Sequence, residues 1–428
     1  MISLRGRSTA VSLRSPLPHD VWSVTTDPGE GGPRRALLSS ELANVSTARF
    51  DLVLGRPGSP LPVVPTGNTV VLPDELGHLT EGDVIAISED GRRISVLWRS
   101  KANINSLLLT ERCDNYCVMC SQPPRDVDDS YLLDRARTVI DLVPPGTDAV
   151  MLSGGEPTLY GHDLIDLVDH ISTTLPGAGV HVLSNGRRFA DPAYAEAWAR
   201  VDCPGLMVGI PIYGAEPTLH DRVVGAVGAF DETVRGILNL CALGAAVEIR
   251  VVVHQLTAPE LVAIAEFIAR NLTFVDQVAL MGLEMMGLAR ANQRDVWIDP
   301  WEYRFELSDA VRTLLAAGVP TRIYNHQLCL IEPAMWPHAV RSISDWKTEY
   351  DPACASCSVV DECGGFFASA KYKTSSHIRP VHAVGTTVVV PGAGPIRAHG
   401  DLASGWPEAG STSTSTEVIV DLPERGVR

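Results

Sequence analysis

Three cysteines in the run Cys113-Asp-Asn-Tyr-Cys117-Val-Met-Cys120 constrain this chain more than any other feature. Two thiolates at such spacing could serve zinc. Three can hold a cubane iron–sulfur cluster and leave one iron without a protein ligand. An open iron is a place for chemistry, where a fully ligated cluster only carries electrons or holds structure. The alternative is a zinc knuckle or a chance grouping of cysteines. A second feature lies downstream, where Ala149-Val-Met-Leu-Ser153 reads as a short buried strand and Gly154-Gly155-Glu156-Pro157 follows at its end. Two glycines let the backbone pass close to a ligand, and Glu156 offers an acceptor in a confined place. The alternative there is a plain Gly-Gly turn before the helix of residues 161–175.

With 428 residues, 45% of them hydrophobic, the chain has room for one barrel-sized domain plus additions. A net charge of −16 argues against nucleic acid and anionic membranes as partners, because phosphate contacts need Lys and Arg in excess. Residues 1–20 carry arginines and prolines but no apolar signal-peptide core, and no run approaches the length needed to span a bilayer. Nine cysteines without an export signal argue for reduced thiols as metal ligands. A cytoplasmic location is therefore expected.

Strand-like runs at 104–110, 148–153, 179–184, 206–212, 247–253 and 276–282 alternate with helical patterns near 130–143, 161–175, 191–200, 230–243, 258–271 and 300–317. Thr257-Ala-Pro-Glu260 has capping-box spacing, and Leu261, Ile264, Ile268 and Leu272 then form one apolar face. Phe230, Val234, Ile237, Leu238 and Cys241 form another, which makes Cys241 a core residue. Six βα units with buried parallel strands fit an α/β fold, a partial (β/α)6 barrel over residues 101–318. In such barrels the site sits at the C-terminal edges of the strands, where Cys113 and Gly154 both fall.

The CxxxCxxC spacing after a strand, with Gly-Gly-Glu-Pro after the next, resembles the signature of the radical S-adenosylmethionine (SAM) superfamily. The resemblance implies a [4Fe–4S] cluster on Cys113, Cys117 and Cys120, with SAM bound to its open iron. One electron cleaves SAM to methionine and a 5′-deoxyadenosyl radical, which abstracts hydrogen from the substrate. It implies that Gly154, Gly155, Glu156 and Pro157 receive the SAM amino group and that Met119 packs on adenine where the family often has an aromatic. Asn185, past the third strand, becomes a candidate for the SAM carboxylate or ribose, a turn-forming Asn-Gly being the alternative. Arg250 alternates with apolar neighbours on the fifth strand. It could pair with the SAM carboxylate or form an ion pair with Glu248 or Glu156. His220-Asp221-Arg-Val-Val-Gly225 with Phe230 is similar to a stretch of radical SAM peptide-modifying enzymes, and locally these residues are expected to hold a loop over the barrel mouth.

A second cysteine group follows the barrel. Cys354-Ala-Ser-Cys357 and Cys363, with Cys329 upstream, supply four thiolates, enough to ligate an auxiliary [4Fe–4S] cluster completely or a structural zinc. The pattern resembles the SPASM and twitch extensions of peptide-modifying radical SAM enzymes. It lacks the later cysteines of a full SPASM region, so one auxiliary cluster is expected in residues 319–370. Cys203 falls outside both groups and reads as a plain buried thiol.

Residues 1–100, rich in Pro, Gly and Arg, carry strand signals at 50–54, 68–72 and 83–88 and a hairpin through Glu89-Asp90-Gly91 into Arg93–Arg99. A small β-rich N-terminal domain is expected. Residues 371–428 read as a loosely ordered tail with a possible strand at 386–390. The Leu108–Pro124 stretch, Tyr324-Asn…Cys329 and Cys363-Gly-Gly-Phe-Phe367 resemble the His-Xaa-Ser system radical SAM maturases of the HxsC type. That resemblance implies modification of a His-Xaa-Ser repeat partner, an electron donor and a second radical SAM maturase. A radical SAM enzyme acting on a small molecule and a non-catalytic iron–sulfur or zinc scaffold are the alternatives.

Overall fold

The structure, a computed structural model, describes residues 2–42, 49–62 and 67–382. Its first part holds eight short strands: β1 (Arg5–Arg7), β2 (Ala10–Ser12), β3 (Val21–Thr25), β4 (Arg35–Ser39), β5 (Leu52–Gly55), β6 (Thr69–Val71), β7 (Val84–Ile87) and β8 (Arg93–Trp98). They pair in the order β1-β8-β7-β3-β4-β5-β6-β2. Only Ser8 and Thr9 separate β1 from β2. The Ser8 N–H bonds the Arg92 carbonyl at 3.1 Å and the Thr9 N–H bonds the Val71 carbonyl at 3.0 Å. One continuous segment thus pairs with both ends of the sheet and closes it. Trp22, Leu52, Leu54, Val70, Ile85 and Ile94 fill the interior, and apolar residues from alternating positions of β8 are buried as its pattern predicts. Burying both ends removes the free edges that short strands otherwise expose.

The second sheet is parallel throughout. Strands β9 (Asn105–Leu108), β10 (Ala149–Ser153), β11 (Gly179–Leu183), β12 (Leu206–Pro211), β13 (Ala246–Val253) and β14 (Gln277–Gly282) lie side by side in chain order. These are the six strands expected from their buried apolar runs. The helices that cover them are α1 (Tyr131–Leu142), α2 (His162–Thr174), α3 (Pro192–Ala199), α4 (Pro217–Val224), α5 (Ala229–Ala242), α6 (Leu261–Asn271), α7 (Gly287–Ala291), α8 (Gln293–Val296) and α9 (Arg304–Ala316). Two further parallel strands, β15 (Thr321–Tyr324) and β16 (Ala339–Val340), carry the sheet past residue 318 into the segment that holds Cys329. A hairpin of β17 (Thr348–Glu349) and β18 (Phe366–Phe367) brackets the remaining cysteines. No helix among the described residues is long and apolar enough to cross a membrane.

Some local expectations fail for identifiable reasons. Thr257 does not cap a helix: its hydroxyl accepts from the His254 N–H at 2.9 Å and donates to the Val252 carbonyl, so a 3-10 turn intervenes before α6 starts at Leu261. Leu238 is 44% exposed and Leu240 is buried in its stead. Helix α4 replaces what reads as loop, because Pro217 opens it and Gly225, in the left-handed region, closes it. Within residues 371–382 Ser375 and Val381 are buried, while the expected strand at 386–390 lies outside the described residues.

Gly236 of α5 shows how tightly the helices seat. A Cβ there would stand 2.2 Å from the Gly186 carbonyl oxygen. Gly→Ala inside a helix ordinarily stabilises by about 1 kcal/mol, but overpacking against fixed backbone costs about 1–3 kcal/mol. The clash wins. Gly236→Ala should lower the thermal unfolding midpoint of the full chain, and an unchanged or raised midpoint would show that the α5 contact is looser than described.

Candidate functional site

The cysteine loop leaves β9 and is anchored at its base by a buried carboxylate. Asp129 accepts from the Thr110 hydroxyl at 2.9 Å, the Glu111 N–H at 2.5 Å and the Arg112 guanidinium at 3.2 Å. Burial alone would raise the Asp129 pKa, yet these donors hold it below the ordinary value. Tyr160 closes the same corner by donating to the Leu109 carbonyl at 3.1 Å.

Higher up, the loop is held through its backbone. The Tyr116 and Val118 N–H groups bond the Val224 and Val223 carbonyls at the end of α4, at 2.8 and 2.9 Å. On the other side Leu288 of α7 donates to the Cys120 carbonyl at 2.8 Å, and Asn292 donates to the Val118 carbonyl. Cys113, Cys117 and Cys120 therefore sit on a loop gripped between two helix ends, at the C-terminal edge of the sheet.

Gly154 and Gly155 approach that loop rather than standing away from it. The Gly155 N–H bonds the Thr110 carbonyl and the Glu156 N–H bonds the Arg112 carbonyl, both at 2.8 Å. A Cβ on Gly155 would lie 2.1 Å from the Arg112 oxygen, so only glycine permits the contact. Glu156 is buried, and its carboxylate accepts from the Thr158 N–H (2.9 Å), the Thr158 hydroxyl (2.6 Å), the Ser184 hydroxyl (2.8 Å) and the Asn185 N–H (2.5 Å). Burial pushes its pKa up and these four donors oppose the shift. Three of the donors reach Oε1 and one reaches Oε2, tying the end of β10 to the end of β11.

Asn185 does form the Asn-Gly turn, with Gly186 at φ +81°, and its side-chain amide also donates to Asp114 in the cysteine loop at 2.6 Å. Arg187 extends the link: it bonds the Asp114 carbonyl at 2.8 Å, Asn115 Oδ1 at 2.9 Å and Glu232 at 2.6 Å. Neither Arg187 nor Asp129 stands out in the sequence. Arg187 directly follows the Asn-Gly pair, and no spacing marks Asp129. Arg250 pairs with the fully buried Glu248 at 2.6 Å, the ion pair anticipated as an alternative. Met119 is buried among Tyr213, Val223, Ala289 and Val296. His220 accepts from the Tyr213 N–H, and Asp221 accepts from Gly228 and Phe230, fixing the turn between α4 and α5. Both hold the mouth in shape.

The thiols sit in an electronegative place. Burial, with Glu156 and the neighbouring cysteines as like charges, pushes Cys113 and Cys117 up to about 12, and Cys120 is raised by burial. Thiolates in such a site need positive charge from a bound metal, and a soft three-thiolate donor set suits iron–sulfur chemistry. At the far end of the sheet Cys329, Cys354, Cys357 and Cys363 line one hollow with Gln327, Tyr350 and Arg379. Burial raises Cys329 to about 11, while the Arg379 N–H bonds its sulfur. The Val381 N–H reaches the Cys357 sulfur at 3.4 Å, and the Gly365 and Leu328 N–H groups serve Cys363. Backbone donors aimed at sulfur suit thiolates that carry a metal. Among the described residues no group of three or more Cys, His, Asp or Glu is set to hold a single metal ion as the side chains stand. Cys203 is buried and Cys241 half-buried, each against the main core.

Residues 107–268 match the model of the Radical SAM superfamily, and β9–β14 with their helices form the half-barrel of that fold. Fe-coproporphyrin III synthase of Methanosarcina barkeri is 28% identical over 164 residues, 37% of this chain and 39% of that protein. SuiB of Streptococcus suis bound to S-adenosylmethionine aligns at 14% identity over 52% of this chain and 51% of its own, with a TM-score of 0.40. Native anSMEcpe with AdoMet and the Cp18Cys peptide aligns at 18% identity over 51% of this chain and 63% of its own, with a TM-score of 0.40. The chain thus spans about two fifths of the curated relative and about half of SuiB.

Asp129→Asn should cost about 1–3 kcal/mol at neutral pH, because hydrogen bonds from three consecutive residues, Thr110, Glu111 and Arg112, lose their charged acceptor. The native Asp129 pKa lies below the unfolded one, so its contribution is full above the unfolded value and fades as pH falls through the native one. The stability gap between wild type and the variant should therefore be flat at neutral pH and shrink below about pH 4. A gap that widens on acidification would contradict the assigned anchor.

Proposed function

We propose that this chain, carrying a Radical SAM domain over residues 107–268, reductively cleaves S-adenosylmethionine and uses the 5′-deoxyadenosyl radical to modify a peptide or protein. The observation that carries the reading is the three-thiol loop clamped against Gly154, Gly155 and Glu156 at the C-terminal edge of a parallel half-barrel. Cys113, Cys117 and Cys120 would hold a [4Fe–4S] cluster. When bound, that cluster supplies the electron that cleaves SAM and an open iron on which SAM is oriented. The chain's own part is to bury the thiols, keep the loop rigid and limit water around them. The Gly154–Pro157 loop receives the SAM amino group, Asn185 the carboxylate or ribose, and Met119 the adenine. Arg250 would reach the SAM carboxylate while held by Glu248.

In the same reading Cys329, Cys354, Cys357 and Cys363 hold an auxiliary [4Fe–4S] cluster that passes electrons to or from the substrate. The resemblance to HxsC-type maturases favours a His-Xaa-Ser repeat protein as substrate, with an electron donor and a second maturase as partners, in the cytoplasm.

Anaerobically reconstituted, reduced protein should form 5′-deoxyadenosine from SAM. Cys117→Ala should abolish it, because two cysteines cannot hold the reactive cluster; product formation surviving the loss of all three thiols would overturn the reading. Iron analysis should give about eight irons per chain, and about four when Cys113, Cys117 and Cys120 are replaced together. About one zinc and no iron in that triple variant would make the C-terminal site structural, since zinc has no redox chemistry.

A further inference from the structure

The ordered chain does not stop at its last cysteine. After β18 and a 3-10 turn ending at Tyr372, residues 373–381 form neither helix nor strand, yet they are held along their length. Their contacts follow the chain in order. Arg290 of α7 lies 3.7 Å over the Tyr372 ring, and Lys373 lies 4.3 Å over Trp297, just past α8. His377 stacks on Trp301, with ring centroids 5.2 Å and planes 12° apart, and its Nδ1 stands 3.3 Å from Asp299. Ile378 packs against the main core, and the Arg379 guanidinium lies 5.1 Å over the same Trp301 ring.

This path ends on sulfur. The buried Val381 donates its N–H to the Cys357 Sγ at 3.4 Å, and its carbonyl accepts from the Ser358 N–H at 2.8 Å. One residue thus grips the Cys357-Ser358 turn with both of its backbone groups. Arg379 lines the four-cysteine hollow, and its N–H serves the Cys329 sulfur. A neutral thiol is a weak acceptor, so a buried N–H gains little from it. A metal-bound thiolate carries negative charge, and the same contact then becomes charge-assisted. The donors are therefore placed for a state in which Cys329 and Cys357 carry a metal. Each side contact upstream is weak alone; in series they fix a segment that has no secondary structure to hold it.

We propose that residues 372–381 are a clasp of the four-cysteine site, with Val381 as a positioning residue that acts through Cys357. The clasp slows loss of the metal. For a [4Fe–4S] centre it also raises the reduction potential, because an N–H aimed at sulfur stabilises the added negative charge. The clasp rests on the metal-carrying reading of the four cysteines given above. It extends their site beyond residue 370 and onto the Trp297–Trp301 segment of the barrel.

The test uses the full chain with Cys113, Cys117 and Cys120 replaced by Ala, so that only the four-cysteine site is loaded. Val381→Pro deletes the N–H, whereas Val381→Ala keeps it and removes most of the side chain. With a colorimetric metal chelator in excess, Val381→Pro should release metal roughly tenfold faster, and Val381→Ala should stay close to the parent. In an EPR-monitored redox titration the proline variant should have the lower midpoint potential. His377→Ala, at an exposed position, covers the case in which the proline variant fails to fold. It should speed release several-fold, and His377→Phe, which keeps a ring on Trp301, should restore the slow rate. Parental release and potential in Val381→Pro, release from Val381→Ala as fast as from Val381→Pro, or no effect of His377→Ala would overturn the clasp. Zinc without iron in the parent would defeat the electron-carrying reading alone, since the release rates still test the clasp; uptake of neither metal would overturn both.

Discussion

A carboxylate that water cannot reach organises the mouth of the parallel sheet. Glu156 receives donors from its own turn and from the Ser184–Asn185 segment, and its backbone N–H binds the base of the cysteine loop. A buried carboxylate is tolerated only when donors compensate its lost hydration, so each donor matters. Losing any one leaves an expensive group behind, and that couples the ends of β9, β10 and β11 more tightly than sheet pairing alone would. The thiol loop inherits its position from this coupling.

The same logic extends outward in two layers. Asp129 gathers the root of the loop, and Asn185 with Arg187 grips Asp114 and Asn115 near its start. The grip comes from backbone groups, carboxylates, helix ends and the Asn185, Arg112 and Arg187 side chains, and among the described residues no basic side chain hydrogen-bonds to a thiol of the loop. The loop can therefore be shaped by the protein while its sulfurs stay protonated. Charge balance is left for a metal to complete.

Much of this was legible in the sequence because buried parallel strands write themselves as apolar runs, and all six from β9 to β14 appear where those runs are. The hairpin of β7 and β8 was legible for a related reason, a turn sequence flanked by alternating residues. Strands β1 to β4 were not. They are short and separated by Pro- and Gly-rich connections, and they earn their pairing from partners as distant as Ser95 from Arg5. The cysteine pattern marked the site, but its supports were hidden. Arg187 reaches across 72 residues to Asn115, and a single charged residue after a turn looks the same whether it faces water or a loop. Glycines 154 and 155 were visible, yet their purpose was not, since only coordinates reveal that a backbone carbonyl occupies the space a Cβ would take.

The closed N-terminal sheet carries a practical consequence. Residues 5–12 act as its keystone, joined to β8 on one side and β6 on the other. Trimming them to tidy a protein for expression would not shorten one strand; it would bare two edges at once, each with a row of unsatisfied backbone groups. Such edges pair with whatever strand comes near, so a deletion that touches none of the cysteines would convert a well-behaved protein into one prone to associate with itself. Tags and fusions are best tolerated ahead of Leu4, whose carbonyl already accepts from the Val96 N–H at 2.8 Å.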